Sequence, residues 1–161
     1  MTSPIVTILL WAAALSSGVM AGVYFTFSTF IMRAFGTLEA PQAVTAMNAI
    51  NTSILRSLFM PLFFGSSIVS VLLVVVAVMN WGDAGAWMAL LAGVIYFFGM
   101  FVCTVLFNVP LNNALGALAP NSTDSFQFWT YYLKTWTNWN HLRTISSLLT
   151  GTLCVWLLSS H

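Results

Sequence analysis

Residues 136 to 144, WTNWNHLRT, gather two tryptophans, two asparagines, a histidine and an arginine into nine positions of an otherwise aliphatic and aromatic chain. Imidazole is the one side chain that exchanges protons near neutral pH without any shift in its pKa. A guanidinium presents five N–H donors in a fixed plane, and amides both donate and accept. Together such groups could move a proton and bind a polar or anionic atom. His141, Arg143 and Asn140 are therefore the catalytic candidates. Amides recur in MNAIN (Asn48, Asn51) and in FNVPLNNAL (Asn108, Asn112), and with Trp136 and Trp139 they are the candidate substrate-binding residues. Thr26, Thr29, Arg33, Arg56 and Thr104 are expected at the same end of the molecule. On an ideal helix Trp136, Trp139, Asn140, Arg143, Ser147 and Gly151 share one broad face, whereas His141 falls about 160° from Arg143. The histidine and the arginine should have different roles.

The elements that must position these residues lie in a bilayer. The 161-residue chain is 60% hydrophobic and only 4% charged, against about a quarter charged in soluble domains. Four apolar runs, about 5–32, 58–80, 85–108 and 143–159, approach the ~20 residues that cross a hydrocarbon core. The expected fold is an all-α, integral membrane four-helix bundle in a single domain, with short extra helical segments on the cytoplasmic side. The first run lacks a basic leader and is too long for a signal h-region, so it reads as a retained helix. A formal net charge of +1 suggests no nucleic-acid partner. The bilayer itself is the first partner.

Arg33, Arg56, Lys134 and Arg143 all fall in or beside the 33–57 and 109–142 connections. The positive-inside rule places those connections in the cytoplasm and both termini outside an inner or plasma membrane. The two N-x-[ST] sequons, at Asn51 and Asn121, would then lie on the wrong side for glycosylation. From Pro41 a helix should run on towards the second span, kinked at Pro61. PNSTDS at 120–125 is a break whose Ser122, Thr123 or Asp124 could cap a helix running through Trp136 into the last span. Ala14, Gly18, Gly22 and Thr26, and Ser147 with Gly151, have the small-residue spacing of close helix contact, within one bundle or in a homo-oligomer.

Several chemistries are disfavoured. The two histidines are His141 and the terminal His161, and no carboxylate lies in a span, so no metal cage is expected. Haem held by His141 and a methionine stays conceivable. Cys103 and Cys154 form no C-x-x-C pair and read as small buried hydrophobes. Phosphate-loop and G-x-S-x-G motifs are lacking. Ordinary structural roles compete throughout. Trp129, Tyr131, Tyr132, Trp136 and Trp139 suit an interfacial belt, the arginines suit headgroup anchors, and Asn108 to Asn112 suit a helix end at Pro110. His141 could be an interfacial hydrogen-bonded side chain.

SSGVMAGVYFTFSTFIMRAF, MNAIN, FNVPLNNAL and WTNWNHLRT together resemble the anthrone oxygenase-like family of small four-helix membrane proteins, over nearly the whole chain. The resemblance implies oxidation of an anthrone-like aromatic by dioxygen, with Asn108, Asn112, Asn140, His141 and Arg143 as the matching positions, and Asn48 and Asn51 beside them. Anthrone is already acidic at its methylene, so a base could form an electron-rich anion that meets oxygen directly. His141 is the expected base, and no metal or other cofactor is expected. The alternative is a noncatalytic binder of a quinone, haem or lipid, as a subunit of a larger complex. A proton-coupled exporter fits less well, because no acidic residue lies within a span.

Overall fold

The computed structural model describes residues 3–119 and 122–160, and every regular element among them is a helix. Pro120, the sequon asparagine Asn121 and His161 lie outside the described residues. We number the helices α1 (Pro4–Phe35), α2 (Ala40–Ile54), α3 (Phe59–Met79), α4 (Ala86–Ala117) and α5 (Thr123–Ser159). All but α2 are long and apolar enough to cross a membrane. Their outward faces carry Ile5, Ile8, Leu15, Val75, Leu91 and Leu148, all exposed, as expected where the solvent for the outer surface is lipid. The four form a ring in which α1 packs on α5, α5 on α4, α4 on α3 and α3 on α1. The shorter α2 lies at one end, against α5 and the last turns of α4.

Small residues set the helix spacing, though not all of those expected. A methyl group on Gly93 would meet the Ser70 carbonyl at 2.6 Å, and one on Gly99 would collide with the Ser146 side chain. Only glycine lets α4 come this close to α3 and α5. Gly151 faces Ser17 and Ala14 across the α1–α5 seam, but Gly18 and Gly22 are exposed with open space around them. The α1 contact stripe is thus Ala13, Ala14, Ser17 and Ala21. Buried hydroxyls spend their hydrogen bonds inside the bundle: Tyr96 donates to Ser66 at 2.8 Å and Thr150 to the Ala92 carbonyl at 3.0 Å.

One expected element that holds and two departures bear on the site. The last helix does start at the Ser122 cap, whose hydroxyl accepts from the Ser125 amide at 3.1 Å, and it passes unbroken through Trp136. By contrast α2 stops at Ile54, and the exposed turn Leu55–Leu58 separates it from α3, leaving Pro61 in the first turn of α3, where its missing N–H costs little. The third span does not end at Asn108. It widens into π-helix over Phe97–Val102 and Thr104–Asn108 and resumes as α-helix through Pro110 to Ala117. A proline inside a helix removes one amide donor and crowds the preceding turn, and a π turn is one way to relieve both.

Candidate functional site

At the α2 end the helices enclose a cavity of ≈ 740 Å³, bordered by α1, α2, α3, α4 and α5, within the range of small-molecule sites. Its apolar wall comes largely from Tyr24, Met47, Phe59, Phe63 and Trp136, and its polar lining from Asn48, Asn51, Thr104, Asn108, Asn112 and Arg143. The cavity follows from the break between α2 and α3 and from the π turns of α4, which together keep α3 from closing on the Thr104–Ala117 stretch. The rim includes Leu55, Phe64, Val105 and Val109, all exposed apolar side chains. The exposed lining also includes the polar Thr52 and Asn113.

Arg143 projects from α5 and is 4% exposed. Its Nη2 donates to Asn140 Oδ1 at 2.7 Å and its Nη1 to Thr104 Oγ1 at 3.4 Å. The guanidinium carbon lies 4.4 Å from the Tyr24 ring centre and 4.9 Å from that of Trp136. None of these partners is a carboxylate. Cation–π contacts contribute about 0.5–2 kcal/mol each, whereas burying an unpaired ion costs several kcal/mol even after relaxation. The charge is only partly compensated by the protein.

Asn140 fixes the arginine. It is fully buried, and its Nδ2 donates to the Tyr24 carbonyl and to Ser28 Oγ, both at 2.7 Å. Ser28 in turn meets Thr144 Oγ1 at 3.1 Å. These bonds reach α1 at Tyr24 and at Ser28, the latter in the π turn Phe27–Ile31. Asn108, 1% exposed on the π turn of α4, donates to the Trp136 carbonyl at 3.2 Å. Asn112 accepts from the Tyr132 hydroxyl at 2.7 Å. Two N–H donors on lining residues remain without a hydrogen-bond acceptor, Arg143 Nε and Trp136 Nε1, while the Asn51 amide lies beside the Tyr132 hydroxyl.

The candidates from the sequence divide accordingly. Asn48, Asn51, Asn108, Asn112, Trp136 and Arg143 line the cavity, with Asn140 behind Arg143. His141 does not join them. It is exposed on the far side of α5, as the helical wheel requires once Arg143 points inward. That placement removes the geometric basis for His141 as the base, and equally for haem held in the cavity between His141 and a methionine. Trp139 also lies outside the cavity, where it stacks on Phe107 with ring centres 3.8 Å apart and planes 8° apart, tying α5 to α4. Arg33 and Arg56 are exposed, and Thr26 and Thr29 bond back to their own helix.

Trp129, Tyr132 and Trp136 form no interfacial belt. They stack along one face of α5 and are buried with Met32, Val44, Met47 and Leu115. Tyr131, by contrast, is 56% exposed. Tyr24 and Ser28, missed in the sequence, hold Asn140 and Arg143. Their one signal is the four-residue spacing that puts both on the same face of α1. Cys103 and Cys154 are free and buried, as expected for small hydrophobes.

The model of a family described as anthrone oxygenase matches residues 56–153, which take in Asn108, Asn112, Trp136, Asn140 and Arg143 but leave out Tyr24, Asn48 and Asn51. No curated protein matches the chain, and no solved structure does.

Proposed function

Because this chain belongs to the anthrone oxygenase family, we propose that it is a membrane oxygenase acting on a flat, apolar, anthrone-like aromatic with dioxygen and without a metal. The observation that carries this reading is Arg143, a buried guanidinium bordering an aromatic-walled cavity. In the reaction the aromatic loses its acidic methylene proton, and the negative charge is shared between that carbon and the carbonyl oxygen. The carbon bonds to dioxygen, the resulting peroxide anion takes up a proton in place of the one released to water, and the hydroperoxide then loses water to become a second ring carbonyl. One anthrone and one O₂ yield one anthraquinone and one H₂O.

Arg143, oriented by Asn140 and Thr104, is suited to face the carbonyl oxygen as charge develops there. Preorganised donors of this kind are worth about 10²–10³ in rate. Tyr24, Phe59, Phe63 and Trp136 supply walls for a flat ring and keep water from the anion. No cavity-lining side chain is a carboxylate or an imidazole. The chain's own contribution is thus to hold and stabilise the anion.

The test is turnover of anthrone by the purified protein in lipid nanodiscs, following anthraquinone formation and oxygen uptake together. Wild type should exceed the spontaneous oxidation seen with empty nanodiscs, with one O₂ consumed per product. A wild-type rate equal to that background would overturn the oxygenase reading. Saturable retention of anthraquinone without turnover would instead point to a quinone carrier.

A further inference from the structure

We infer that the cavity takes its aromatic ligand as an oxyanion, the ligand supplying the negative charge that Arg143 lacks within the protein. This deepens the reading of the cavity as an aromatic-ligand site and rests on it. Arg143 is 4% exposed at the cavity wall, yet its polar contacts are the Asn140 amide and the Thr104 and Tyr24 hydroxyls, all uncharged, and its remaining close neighbours are ring faces.

The unpaired polar atoms on the cavity-lining residues have one sign; the remaining one, Ser147 Oγ, lies outside the cavity. Arg143 Nε and Trp136 Nε1 are hydrogen donors without acceptors, on residues that border the same cavity. A neutral hydrocarbon would leave them so, and a ligand that itself donates would add to the surplus. An ionised oxygen accepts several hydrogen bonds at once and cancels the guanidinium charge, and charge-assisted bonds are about twice as strong as neutral ones. Proton removal then belongs to the ligand's own acidity, because none of the lining residues is an acid or a histidine. The ligand class is a flat aromatic carrying either an appended carboxylate or a ring-borne phenolate or enolate.

The experiment uses wild-type protein in zwitterionic lipid nanodiscs, with empty nanodiscs subtracted. Fluorescence titrations compare 9-anthracenecarboxylate with its neutral amide, which has nearly the same shape. The carboxylate should bind at least about tenfold tighter, a difference of about 1.4 kcal/mol. Arg143→Lys should keep most of that preference, and Arg143→Gln should abolish it while still binding the amide. Should Arg143→Gln fail to fold, Asn51→Asp at the cavity wall serves instead: it supplies an internal carboxylate and should erase the preference for the anion. A second arm uses 2-hydroxyanthraquinone at a pH where the free compound is protonated. A phenolate absorption spectrum on binding assigns the oxyanion to the ring, and tight carboxylate binding without that spectrum assigns it to an appended acid.

Equal affinity for the carboxylate and its amide, together with no phenolate spectrum, overturns the inference. So does a preference unchanged in Arg143→Gln, or no saturable binding of any probe. Anthrone turnover separates the two readings. Turnover without anion preference removes this inference alone, whereas anion preference without turnover removes the oxygenase and leaves the anion site.

Discussion

Asn140 Oδ1 accepts a hydrogen bond from Arg143 Nη2 at 2.7 Å, three residues along the same helix, while the Asn140 amide nitrogen binds two groups of α1. One side chain thereby orients the buried cation and clamps α5 to the π turn of α1. Asn140→Leu should cost roughly 2–4 kcal/mol, the sum of a lost charge-assisted bond and of donors and acceptors left unpaired. Reversible unfolding in mixed micelles measures it. A loss below about 0.5 kcal/mol, the ordinary surface effect, would mean that the network contributes no stability.

Catalytic roles separate by placement. Arg143→Gln should lower kcat/KM for anthrone by about 10²–10³, the usual effect of removing a donor from a developing oxyanion. His141→Gln, at an exposed position, should leave turnover within about twofold of wild type, a change below 0.5 kcal/mol in the barrier. A large loss in His141→Gln with helicity intact would put the histidine back into the chemistry.

Glycine at the α4 seams is required by distance. Gly99→Ala drives a methyl into Ser146 and should destabilise by about 1–3 kcal/mol, as overpacked cores do. Pairing it with Ser146→Gly removes the colliding side chain and should recover much of the loss, apart from the added cost of a second glycine in a helix. Gly18→Ala, with nothing within 4 Å, is the control and should be neutral or slightly stabilising. Equal effects of Gly99→Ala and Gly18→Ala in the unfolding assay would contradict the packing.

Arg33, Arg56 and Lys134 are exposed at the α2 end, the end that the positive-inside rule assigns to the cytoplasm. In a protein lacking Cys103 and Cys154, single cysteines at Ser3 and Ser122 should label from opposite sides of the membrane with an impermeant thiol reagent. Ser3 is expected to react in intact cells and Ser122 only after permeabilisation. The reverse pattern would invert the bundle.

Hydrophobicity and local periodicity carried much of the architecture. Runs of apolar residues long enough to cross a bilayer announced four helices, because bilayer thickness sets a length that sequence displays directly. A cap within Ser122–Asp124 and the division of α5 into two opposed faces were equally legible, since both depend on residues within a few turns of one another. Composition alone could not distinguish a helix that ends at Pro110 from one that widens and continues, because the choice depends on what packs against the freed turn. Trp129, Tyr132 and Trp136 looked interfacial for the same reason: an aromatic residue suits a belt and a core alike until its neighbours are known.

The sequence by itself determined that an arginine and several amides would meet at one end of a membrane bundle, since unsatisfied polar groups are costly in hydrocarbon. It also separated Arg143 from His141, because a helix turns about 100° per residue whatever surrounds it. Only the tertiary structure decided which of the two faces inward. That choice follows from the position of α1, whose Tyr24 ring and carbonyl and Ser28 hydroxyl receive the Arg143 side of α5 and leave His141 outside. The cavity was likewise a tertiary outcome: it is the gap left where α2 breaks from α3 and α4 changes its helical pitch, a property of how helices meet and of no single stretch of residues.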